Sequence, residues 1–212
     1  MKDERKPGLW RTIHLDLESF ADLKGVRLHS PMSYLDVLMF PGVIAVILFR
    51  FTSFFHHHHL RPLSRLLYLL NFVLFSVELS PACQIGPGLA LPHPAGVAIV
   101  GGARIGRRAR IYQGVNIGGA AIDDETVEHF PTIGDDCWLF GSTWVVGPVK
   151  IGDRARIGIQ SMVVRSIPAG AVAMGSPARV IRFLDGEAPA STEEAPAKVM
   201  AGHANGGTPR RP

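Results

Sequence analysis

Between Leu79 and Val163 an aliphatic residue returns at every sixth position: Leu79, Ile85, Leu91 and Val97, then Ile99, Ile105, Ile111 and Ile117, then Ile133, Leu139, Val145, Ile151, Ile157 and Val163. Two positions before most of these runs a column of mainly small residues: Cys83, Ala103, Ala109, Val115, Cys137, Thr143, Val149, Ala155 and Ser161. Helices and strands repeat every ~3.6 and ~2 residues, so a strict six with two inward positions fits neither. It fits three short flat strands per coil, stacked coil on coil, with both columns inside. Glycine follows the aliphatic residue at Gly86, Gly106, Gly118, Gly134, Gly152 and Gly158, which suits a sharp corner.

Before residue 78 the pattern is helical. Leu9 to Leu23 reads as an amphipathic helix closed by the turn His29-Ser30-Pro31. Tyr34 to Phe55 reads as a helical run broken at Pro41-Gly42, and Leu63 to Val77 as a leucine-rich helix. These patterns predict an α-helical domain over 1–77 and a repeat domain over 78–182. The Ala-, Pro- and Gly-rich composition beyond Gly186 predicts a disordered tail over 183–212. No apolar run reaches the ~20 residues that span a bilayer. The helices are expected to bury their apolar faces against each other and against neighbouring subunits, with peripheral attachment to a membrane as the second reading. His56-His57-His58-His59 has no cysteine or carboxylate beside it and reads as a solvated loop rather than a metal site.

Composition narrows the partners. The formal charge of +4 over 212 residues is mild and its arginines are scattered, which argues against nucleic acid and suits a small anionic ligand. Both cysteines fall in the inward column, so packing is favoured over a disulfide or a catalytic thiol. The first thirty residues hold no apolar leader run, so a cytoplasmic location is expected, peripheral to the inner membrane under the second reading of the helices.

His93 lies between two prolines in Leu91-Pro92-His93-Pro94, and Glu78 lies one coil earlier. Imidazole is suited to take the proton of an attacking hydroxyl, and a carboxylate on its other nitrogen would fix the tautomer. With about eighteen residues per coil and coils ~4.8 Å apart, the two side chains are expected to meet around one corner.

The segments Val77-Glu78-Leu79-Ser80-Pro81-Ala82 and Leu91 to Gly96, the Gly118-Gly119 pair and Gly175-Ser176-Pro177-Ala178-Arg179 resemble the serine acetyltransferases of the hexapeptide-repeat acyltransferase superfamily. The resemblance runs from about Ser30 to Arg182. It implies a mainly β fold, a left-handed parallel β-helix with an N-terminal α-helical domain, assembled as a homotrimer or a dimer of trimers. It also implies acetyl-CoA as donor, His93 as general base and Glu78 as its orienter. The candidate oxyanion donor is the backbone N–H of Gly119, beside Gly118. Arg154, Arg165 and Arg179 are candidate partners for the donor's phosphates. Trp138, Trp144, Lys150 and Arg156, one position before the aliphatic residue, form an outward column that lines the donor groove or covers another surface. The repeat is interrupted from Gly118 to Thr132 by a loop holding Asp123, Asp124, Glu125, Glu128 and His129, which in trimeric relatives reaches over the site.

The departures lie on the acceptor side. Pro92 stands where the family has an Asp before its base, Ser30 replaces another Asp, and His129-Phe130-Pro131 replaces Arg-His-Pro. The expectation is therefore an acetyl-CoA-dependent O-acetyltransferase acting on another hydroxyl, such as a sugar of a surface polysaccharide, with a true serine O-acetyltransferase as the alternative. Pro209-Arg210-Arg211-Pro212 lacks the family's terminal Ile, so docking to cysteine synthase is not expected. A zinc-bearing β-helix like the γ-type carbonic anhydrases would need three converging histidines. The repeats hold only His93 and His129, so no metal is expected, and a non-catalytic scaffold is the remaining reading.

Overall fold

A computed structural model describes residues 7–119 and 130–186. Four helices come first: α1 (Leu9–Lys24), α2 (Pro31–Leu38), α3 (Pro41–His57) and α4 (Arg61–Phe75). Their ends follow local chemistry. Gly25 closes α1 in the left-handed conformation at φ 69°, and the Ser30 hydroxyl accepts from the backbone N–H of Ser33 in a capping box that starts α2. Pro31, Pro41 and Pro62 occupy the first turns of the next three helices, where a missing N–H costs nothing. The histidine run is not a loop throughout. His56 and His57 complete the last turn of α3, and only His58 and His59 form the connection to α4.

From residue 78 the chain visits three parallel sheets in rotation. The first holds Glu78–Leu79 (β1), Ala98–Ile99 (β3), Asn116–Gly118 (β6), Trp144–Val146 (β9) and Met162–Val163 (β12). Gln84–Ile85 (β2), Arg104–Ile105 (β4), Thr132–Ile133 (β7) and Lys150–Ile151 (β10) make the second. Arg110–Ile111 (β5), Trp138–Leu139 (β8), Arg156–Ile157 (β11), Ala171–Met174 (β13) and Arg179–Phe183 (β14) make the third, with β14 returning antiparallel on β13. Ile99 pairs with Ile117 and Val145 with Val163, so each aliphatic residue stacks on its counterpart one coil away. Both predicted columns point inward, and from Leu79 to Val163 nearly every member is buried. Burial of this order contributes roughly 1.5–3 kcal/mol per large aliphatic side chain. Burial also pushes the thiols of Cys83 and Cys137 up to about 12 and about 11, which makes them inert packing groups.

The glycines after the aliphatic residues serve a different purpose from the expected one. Gly86, Gly106, Gly134 and Gly152 have ordinary φ, but a Cβ on any of them would fall within 3 Å of the next coil, 2.4 Å from the Ala169 nitrogen in the case of Gly152. The left-handed corner residue comes two positions later, at Gly88, Arg108, Asp136 and Arg154. At these four positions, all at the end of the second sheet, close stacking rather than the turn itself excludes a side chain.

The helices grip the first coil at two points. Asp16 of α1 is 3% exposed and accepts from Arg50 Nε (2.8 Å) and Nη2 (3.0 Å) and from the backbone N–H groups of Gly88 and Leu89. Arg50 in turn donates to the carbonyls of Ile85 and Gly86. Burial raises the Asp16 carboxyl above its ordinary value, against the opposing pull of Arg50 and the two N–H groups. At the second point Gly42 of α3 lies flush on the coil, where a Cβ would sit 1.8 Å from the Leu91 carbonyl oxygen. Leu91 is two residues before His93.

The helices cover one another unevenly. α3 packs inward, but the side chains that α4 buries are Ser64 and Asn71, while most of its leucines face outward. No single helix among the described residues is long and apolar enough to cross a membrane. The pair α2 and α3 passes that test only together and is bent by 87°.

Candidate active site

His93 stands on the corner where the chain leaves the third sheet for the first. Leu91 and Val97 are buried on either side, which anchors the turn in the core, while the His93 side chain is exposed. Pro92 and Pro94 restrict the backbone, and the Gly96 N–H donates to the Ser76 carbonyl one coil away at 2.8 Å. Neither ring nitrogen of His93 has a hydrogen-bond partner among the described residues. Its ring centroid lies 6.4 Å from that of Tyr112, which stacks on Phe140 at 5.2 Å and 26°. An aromatic column thus descends the corner below the imidazole.

Glu78 is exposed on β1, paired with Ala98, and its N–H donates to the Val97 carbonyl. It therefore shares the corner on which the His93 turn ends, one coil away. No hydrogen bond or ion pair joins the two side chains among the described residues. The charge of Glu78 instead acts, after burial, to raise the phenol of Tyr68 on α4.

Gly118 ends β6, and its carbonyl accepts from the Gly147 N–H at 3.1 Å; Gly119 follows, with its N–H unbonded among the described residues. The rest of the loop through His129 lies outside the described residues. The three predicted phosphate partners are dispersed. Arg154 sits between the second and third sheets, 3.4 Å from Asp185, and Arg165 sits between the first and second. Only Arg179, at the start of β14, shares the His93 corner, several coils along. Pro92 is buried and apolar, and Ser30 serves as the cap of α2.

The expected outward column also separates. Six residues carry the chain to the next face and only eighteen return it, so Trp138 lies on the third sheet, Trp144 on the first and Lys150 on the second. Trp138 is held between the guanidinium groups of Arg110 (4.5 Å) and Arg156 (4.3 Å), while Trp144 is 50% exposed. Two grooves beside α1, of about 710 and 840 Å³, contain neither His93 nor Glu78. Among the described residues no three His, Cys, Asp or Glu side chains converge to hold a metal.

Sequence reasoning missed Tyr112, Phe140, Gly42 and the Asp16–Arg50 pair. The aromatic pair had a signal, since each follows an aliphatic repeat residue at the same point of successive coils, eighteen or more residues apart. The others join segments distant in sequence and leave no periodic trace.

No protein-family model matches the chain. It is 31% identical over 188 residues to serine acetyltransferase 4 of Arabidopsis thaliana, covering 88% of this chain and 51% of the relative. It is 32% identical over 163 residues to the serine acetyltransferase of Mycobacterium tuberculosis (76% and 70%) and 30% identical over 145 residues to that of Helicobacter pylori (68% and 84%). The chain thus spans only about half the length of the plant relative. Among solved structures, the serine acetyltransferase of Neisseria gonorrhoeae in complex with serine superposes with a TM-score of 0.72 at 25% identity, over 81% of this chain and 68% of that one. The Brucella abortus enzyme in complex with coenzyme A gives 0.74 at 22% identity, over 86% and 69%. With repeats, sheets and relatives in agreement, the chain belongs to the serine acetyltransferase family.

Proposed function

We propose that this chain is an O-acetyltransferase that moves the acetyl group of acetyl-CoA to a hydroxyl oxygen, with free serine as the acceptor its relatives favour. The observation that carries the reading is the exposed imidazole of His93, unbonded among the described residues on a turn anchored from both sides, where the sequence resemblance assigns the general base.

In the reaction His93 takes the hydroxyl proton as the oxygen attacks the thioester carbonyl. The resulting oxyanion is met by a backbone N–H, assigned to Gly119. Collapse breaks the C–S bond, and the imidazolium returns its proton to the departing thiolate, so no net proton is consumed. Glu78 is assigned to orient His93. It shares the corner at which the His93 turn ends, one coil away, and a carboxylate that reached the ring from there would fix its tautomer.

The site lies on an open corner rather than in a cavity, which suits the left-handed parallel β-helix and the trimer that the family resemblance implies, with a second protomer forming the other wall. Arg179 is the phosphate partner best placed on this corner, while Arg154 and Arg165 would meet a donor only across different corners.

A second acceptor is favoured by one observation. Pro92, buried and without charge, stands where the resemblance expects an acceptor-gripping Asp, which suits a neutral hydroxyl such as that of a sugar. Release of free coenzyme A from acetyl-CoA by the purified chain, measured with serine and with a panel of sugars, tests both readings. Release with serine supports the first and release with a sugar alone supports the second. No release with any hydroxyl would refute O-acetyl transfer.

A further inference from the structure

Helix α4 is built inside out. The two side chains it buries fully are polar: the Ser64 hydroxyl donates to the Thr52 carbonyl (2.9 Å) and Asn71 Nδ2 to the Ala45 carbonyl (3.0 Å), tying α4 to α3, with Leu67, Tyr68 and Phe75 half-buried beside them. The opposite stripe is Leu63, Leu66, Leu69, Leu70, Val73 and Leu74, with Leu66 60% and Val73 69% exposed. Helices stabilised by burial in water show the reverse, apolar inward and polar outward. Small polar side chains bonding across a helix pair while leucines face out is the arrangement of helices in an apolar medium. An exposed apolar stripe of this size marks a contact surface.

Charge selects the occupant. Residues 37–77 contain no aspartate or glutamate, but carry Arg50, Arg61, Arg65 and four histidines. Arg50 is consumed by Asp16, whereas Arg61 and Arg65, at the start of α4, are exposed and have no ion-pair partner among the described residues. A second copy of this face would bring more cations and no carboxylate from the same segment. An anionic bilayer surface supplies both an apolar layer for the leucines and phosphates for the arginines. A fifteen-residue helix of ~22 Å is too short to span a ~30 Å core but can lie along its boundary.

We propose that α4 docks flat on an anionic membrane, with the leucine stripe in the acyl boundary and Arg61 and Arg65 at the headgroups. The site at His93 is a separate surface, so failure of this proposal would leave the acetyl-transfer reading untouched.

Flotation of the full chain with lipid vesicles tests it. The chain should float with vesicles containing phosphatidylglycerol, and its partition should fall roughly tenfold or more on pure phosphatidylcholine or in Arg61→Glu/Arg65→Glu. Leu66→Glu/Val73→Glu should stay at the bottom of the gradient while keeping the melting temperature and assembly size of the parent. Absence of flotation on either vesicle, or flotation retained by Leu66→Glu/Val73→Glu, would overturn the proposal. A smaller assembly in that double variant would also overturn it, by assigning the face to a second copy.

Discussion

The coil and helix α4 solve opposite problems with similar residues. In the coil, leucine and isoleucine point inward at every sixth position and the protein is its own cover; Leu139, for example, is completely buried. In α4 most leucines point outward and serine and asparagine point in, so the cover must come from elsewhere. A hydrophobic pattern therefore fixes which residues share a face, but not whether the chain itself covers that face.

The joint between the two regions should show the largest response. Asp16→Ala leaves the Arg50 guanidinium buried with only carbonyl partners and strips the acceptor from two backbone N–H groups. It should destabilise the chain by about 3–5 kcal/mol in denaturant titration and uncouple unfolding of the helices from that of the coil. A single unchanged transition would show that the joint does not hold the regions together.

Leu139→Ala should cost about 2–5 kcal/mol, because the stacked coils cannot close around the lost volume. Leu66→Ala, the same substitution on α4, should change stability in dilute buffer by no more than about 0.5 kcal/mol. Equal losses at both positions would mean that α4 is covered in solution and would erase the contrast.

The coil was legible because its period is internal. Each aliphatic residue from Leu79 to Val163 contacts its own kind one coil away, so the sequence alone gives the faces, the inward columns and the inert cysteines. The reason for the corner glycines was not legible, because the clash that excludes a Cβ at Gly152 comes from Ala169, in another coil. At the site, the place of His93 on a turn one coil from Glu78 was legible from the repeat count. Whether the two side chains meet was not, because a corner geometry known only by coil spacing leaves side-chain direction open. The scatter of Arg154, Arg165 and Arg179 over three corners follows from their positions within the repeat, which spacing by six does not distinguish.

The smallest effect concerns the rim. The Arg108 hydrogen bond, opposed by partial burial, holds the Asp136 carboxyl below its ordinary value. A folded-state value below the unfolded one gives stability that is present above the unfolded value, about 3.9, and is lost as pH falls through the lower folded value. Both side chains are substantially solvated, so Asp136→Asn should cost less than about 1 kcal/mol at pH 7 and converge with the parent in strong acid. A constant difference across that range would point to packing rather than charge.

The most direct test is the rate at which His93→Ala releases free coenzyme A from acetyl-CoA in the presence of the accepted hydroxyl substrate. Loss of the base should lower turnover by roughly 10²–10⁴-fold with the melting temperature unchanged, since the exposed ring holds no structural hydrogen bond. Turnover within a fewfold of the parent would contradict a mechanism in which this imidazole takes the proton.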